Sequence, residues 1–68
     1  MIMHSVISTN VLTVGYEPQT GTMRGRFRSG GTYDYHGVNA HLFEQMLRPN
    51  PWRRIGRLVR AHAYEKVA

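Results

Sequence analysis

The sequence has no cysteine, only four acidic residues, one lysine and one tryptophan among its 68 residues. Without cysteine there is neither a disulfide framework nor a thiolate metal site, and a reducing compartment suits such a chain. No apolar run approaches the roughly 20 residues that a membrane-spanning helix needs. The opening Met1-Ile2-Met3-His4-Ser5 lacks the charged and apolar regions of a secretory signal, so a cytoplasmic location is expected. The carboxylates Glu17, Asp34, Glu44 and Glu65 lie far apart in the chain with no paired arrangement. No Ser-His pairing and no phosphate-binding loop pattern stands out, and His4, His36, His41 and His62 lack metal-ligand spacing. Neither catalysis nor a cofactor is expected.

What is present is positive charge. Nine basic residues, nearly all arginine, against four acids give a formal charge of +5. Such a balance favours polyanions, nucleic acid before an anionic membrane, although many small basic proteins bind no nucleic acid. A hydrophobic share of 41% is too high for a disordered chain, and the length allows one small domain over residues 1–68.

The hydrophobic pattern divides the chain in two. Val11 to Tyr16 is rich in β-formers and reads as a strand, and Glu17-Pro18-Gln19-Thr20-Gly21 reads as a turn. Thr22 to Arg28 alternates, with Met23, Gly25 and Phe27 on one face and Arg24, Arg26 and Arg28 on the other. Ser29-Gly30-Gly31 is a hairpin signal, and Thr32 to Tyr35 is the returning strand. Beyond Gly37 the period becomes helical. Asn39 is an N-cap, with Leu42, Phe43, Met46 and Leu47 following at helical spacing. Asn50 as N-cap, with Pro51 at the first helical position, opens a second helix expected to reach about Lys66. Its apolar arc comprises Trp52, Ile55, Leu58, Val59 and Ala63, with His62 on the buried side; Arg53, Arg54, Arg57 and Arg60 lie opposite with Tyr64. The expected architecture is α+β: a three-stranded antiparallel meander followed by two α-helices on one face of the sheet.

Several residues in this order resemble the KTSC domain, a small module named after a C-terminal extension of some lysyl-tRNA synthetases and also found free-standing in bacteria and phages. They are Ser8, Val14-Gly15-Tyr16-Glu17, Gly21-Thr22-Met23, Phe27, Gly30, Tyr33-Asp34-Tyr35 and Val38. The resemblance spans about residues 5 to 60. Members usually carry a Ser-x-Gly stretch and a Phe-Asn pair farther on, where this chain has Pro49-Asn50-Pro51-Trp52-Arg53-Arg54. The resemblance implies no established activity; RNA binding is the usual suggestion for the family.

A candidate surface depends on hairpin register. A two-residue loop at Ser29-Gly30 pairs Arg26 with Tyr33 and Arg24 with Tyr35, giving an open sheet face of two aromatic rings among Arg24, Arg26 and Arg28. Such a face can stack unpaired bases and neutralise phosphates. A three-residue loop instead places Tyr33 and Tyr35 with Met23 and Phe27 in the core. Ser-Gly suits the two-residue primed turn, which favours the exposed arrangement. Arg53, Arg57 and Arg60 offer a second basic track, or simply a solvated helix face. The expectation is therefore a small module binding RNA or single-stranded DNA. The alternative is a protein-interaction module that docks on an acidic partner surface, tyrosine and arginine being common at interface hot spots. Homo-oligomerisation through a sheet edge is also open.

Overall fold

A computed structural model describes all residues from Met1 to Ala68. The elements are β1 (Met3–Ser5), β2 (Val11–Glu17), β3 (Thr22–Phe27), β4 (Gly31–Tyr35), α1 (Ala40–Met46), α2 (Pro51–Arg60) and β5 (Tyr64–Lys66). The fold is α+β, with one antiparallel sheet and two helices, as the alternating and helical periods require. The sheet has five strands in the order β1-β2-β3-β4-β5 rather than the expected three. Both additions are three-residue edge strands, too short to show alternation, and each is defined by a partner elsewhere in the chain. β1 pairs with β2 through Met3↔Gly15 and Ser5↔Thr13, while β5 pairs with β4 through Tyr35↔Tyr64 and Tyr33↔Lys66.

Local chemistry explains where the elements begin and end. The Ser8 hydroxyl accepts from the Asn10 and Val11 backbone N–H groups, turning the chain into β2. A bulge at Leu12, between the pairs Val11↔Phe27 and Thr13↔Arg26, lets Val11 and Val14 both face inward despite their odd separation. The Asn39 side chain accepts from Leu42 N–H at 2.8 Å and caps α1 as expected. The second helix ends at Arg60, six residues short of the expected Lys66. Its last carbonyls, those of Leu58 and Val59, lie 3.0 and 3.2 Å from His62 Nδ1. That side-chain cap stops the helix and frees Tyr64 to Lys66 to add to the sheet.

The core sits between the helices and the inner face of the sheet. It comprises Val6, Val11, Val14, Met23, Tyr35, Val38, Met46 and Val59. Val59 and the half-buried Trp52 and Ile55 hold α2 down, whereas Leu58 is 55% exposed and Ala63 lies outside the helix, correcting two members of the expected apolar arc. Gly56 is buried where a Cβ would stand 3.0 Å from the Trp52 ring, so the missing side chain lets Trp52 lie along its own helix.

Candidate functional site

The hairpin register decides the site. Pairs Met23↔Tyr35, Gly25↔Tyr33 and Phe27↔Gly31 leave a three-residue loop of Arg28, Ser29 and Gly30. Gly30 N–H donates to Phe27 C=O at 3.1 Å, and Gly30 takes φ 92°, the left-handed position that follows a turn of this length. The expected two-residue loop is thereby overturned. Tyr33 and Tyr35 lie on the inner face with Met23, Gly25 and Phe27, and the Tyr-Arg face does not exist.

The arginines of that expected face separate. Arg24 reaches across to Asp34, with Nε 2.7 Å from Oδ1 and Nη2 3.0 Å from Oδ2. Hydrogen bonding to Asp34, then its charge, raises the guanidinium pKa. Arg26 is exposed opposite Thr32, and Arg28 lies in the turn, its Nε donating to Ser8 C=O at 3.0 Å. No aromatic strand residue shares the outer face with them.

The inner face gathers what the outer face lacks. Phe27 meets Tyr33 edge-on at 5.8 Å between ring centroids and Trp52 at 4.8 Å. Tyr64, carried in by β5, lies 5.6 Å from Tyr35 and 6.2 Å from Tyr33. These five rings and Arg60 line an open cleft of about 260 Å³ between β3-β4-β5 and α2. The Arg60 guanidinium carbon sits 5.5 Å from the Trp52 ring centroid, a cation–π contact that holds its charge at the cleft rim. The Tyr35 phenol is pushed up to about 12 by burial, then by neighbouring Tyr33 and Tyr64, against the opposing pull of Arg60. It stays a neutral hydroxyl at any physiological pH.

Arg53 and Arg57 are exposed on α2 with Arg60. Arg54 does not join them, because its guanidinium donates to Pro49 C=O at 3.1 Å and Gln45 C=O at 3.0 Å. No acid lines the cleft: Asp34 is held by Arg24, and Glu65 lies 3.1 Å from His36. No group of three or more His, Cys, Asp or Glu side chains converges as metal ligands would. No helix is long and apolar enough to cross a membrane.

Sequence reasoning reached Tyr33, Tyr35 and Arg60 but missed Phe27, Trp52 and Tyr64 as members of one site. Phe27 and Trp52 read as core residues, and Tyr64 as helical. The one local signal for Tyr64 was His62, a side chain suited to ending a helix just before it.

A family model described as the KTSC domain matches residues 7–50. The fold is also similar to the crystal structure of a KTSC domain protein from Yersinia pestis, at 23% sequence identity and a TM-score of 0.88, covering 98% of this chain and 97% of that one. No curated protein matches the chain.

Proposed function

Since the chain belongs to the KTSC domain family, we propose that it is a cytoplasmic, non-catalytic module that binds unpaired RNA or single-stranded DNA. An exposed base would stack in the aromatic cleft, and Arg53, Arg57 and Arg60 would meet the phosphates beside it. The observation that carries this reading is the cleft itself: an open cleft lined by five aromatic rings, of which Tyr64 is the exposed one, with an arginine at the rim and no acid among its lining. Aromatic platforms beside guanidinium groups suit single strands because every base has a stacking face while phosphates supply charge attraction. The net charge of +5 supports the same partner.

The single tryptophan lies in the cleft and serves as the reporter. Titration of wild type with single-stranded RNA and DNA oligonucleotides is expected to quench Trp52 fluorescence. Tyr64, 57% exposed, is replaceable without opening the core. Tyr64→Ala is expected to weaken binding roughly tenfold, the order of one lost base stack. Undiminished affinity in Tyr64→Ala, or binding without any Trp52 response, counts against the cleft. A second reading is favoured by the same residues, because Trp, Tyr and Arg are the side chains that dominate protein interfaces. An acidic protein partner would then occupy the cleft, and a Trp52 response to an acidic peptide but to no oligonucleotide would decide for it.

A further inference from the structure

A second cavity, of about 480 Å³, shares Phe27 with the aromatic cleft and opens at the β3–β4 turn. Arg26 and Arg28 line it, with Leu12, Gly30, Thr32 and Ala68. The bulge at Leu12 brings that residue beside Arg26, and the loop glycine adds no side chain to fill the space. Arg28 is held in place twice: its backbone N–H donates to Asn10 C=O at 2.9 Å and its Nε to Ser8 C=O at 3.0 Å. Both of its Nη groups remain free. Arg26 forms no side-chain hydrogen bond and no ion pair, although Arg24, two residues earlier, is fully engaged by Asp34. No acidic side chain lines the cavity, and at its edge the Ala68 backbone oxygen accepts from Thr32 N–H at 2.9 Å.

Two guanidinium groups facing one cavity, one of them fixed by the backbone, form a fork for an oxyanion. We propose that this cavity is a phosphate subsite separate from the cleft, on the other side of the β3–β4 turn, taking a phosphodiester of the bound strand where it passes around that turn. The assignment of a phosphodiester rests on the nucleic-acid reading above, while the oxyanion chemistry of the fork stands by itself. It separates the arginines of β3 and the following turn by role. Arg24 is a structural partner of Asp34, and Arg26 and Arg28 bind.

The test uses Arg26→Gln, which breaks no contact, beside Arg28→Gln and a control, Arg48→Gln, which makes the same charge change away from the cavity. Where oligonucleotides bind, losing one phosphate contact is expected to lower the slope of log affinity against log salt by about 0.7 in Arg26→Gln and Arg28→Gln but not in Arg48→Gln. Affinity at low salt is expected to fall roughly tenfold in the first two variants, as for a lost charge-assisted contact. Separately, inorganic pyrophosphate is expected to shift the Gly30 and Gly31 amide and arginine Nε–H resonances of wild type, and not those of Arg26→Gln. If oligonucleotides do not bind at all, the nucleic-acid reading fails, and the pyrophosphate arm alone judges the fork. The proposal is overturned if Arg26→Gln leaves the slope unchanged, if Arg48→Gln changes it equally, or if pyrophosphate leaves those resonances in place.

Discussion

Neighbouring residues of this chain carry opposite assignments because strand parity sends them to opposite faces. Asp34, between two inward tyrosines, faces outward yet is only 7% exposed, because Arg24 covers it. A carboxylate so covered depends on its partner, whereas the pair itself, with Arg24 39% exposed, adds only modestly to stability. Tyr35 is an inner residue whose ionisation is linked to folding. Its folded pKa of about 12 lies above the unfolded value near 10, so the unfolded chain loses this proton first as pH rises. The stabilisation from neutral Tyr35 is therefore intact below about pH 10 and is lost progressively from there through about pH 12. The loss reaches on the order of 2 kcal/mol by the upper end. Urea unfolding from pH 9 to 12 should show this fall in wild type and a visibly flatter profile in Tyr35→Phe. Equal slopes in the two proteins would remove Tyr35 as the cause.

The elements end where side chains and backbone geometry make them end. Asn39 and Asn50 both precede helices, and a sequence rule treats them alike. Asn39 caps with its side chain in extended backbone, but Asn50 makes no side-chain cap and instead adopts φ 54°, ψ 52°. Its N–H donates to Ile7 C=O at 2.6 Å, tying the α1–α2 turn to the segment before β2. Asparagine suits that place because it tolerates the left-handed conformation better than residues with a bulkier Cβ substituent. Asn50→Gly should be neutral or slightly stabilising, and Asn50→Ala should cost about 1 kcal/mol, read as a shift of the thermal midpoint. Equal midpoints for the two variants would show that backbone strain does not govern this turn. The same physics limits what could be read of α2. Helical spacing of Trp52, Ile55 and Val59 gave its inner side correctly, but its end depends on His62 reaching two carbonyls, a contact that composition does not announce.

At the scale of the whole molecule, the charge and the aromatic rings are distributed by topology. The meander is built from neighbours in sequence until β4, and only then does the chain leave through two helices and return as β5. That return covers the β4 edge, places Tyr64 over Tyr35 and completes the cleft. A chain stopped at Ala61 should lose its cooperative thermal transition, since a domain this small has only about 3–5 kcal/mol from one core. A truncated protein that still unfolds cooperatively near the wild-type midpoint would show β5 to be an ornament of the fold. Much of this architecture was legible in the residues. The period-2 run from Thr22, the turn at Pro18 to Gly21, the Asn39 cap and the apolar spacing of both helices are local signals, and they determined the α+β class, the central strands and the excess of positive charge. The tertiary structure alone decided the edge strands, the end of α2 and the face on which Tyr33 and Tyr35 lie. Edge strands of three residues owe their existence to distant partners, and a one-residue difference in a hairpin loop inverts every side chain beyond it. Composition supplied tyrosine and arginine; register decided that the tyrosines join Trp52 and Arg60 in a cleft while Arg26 and Arg28 face a separate cavity.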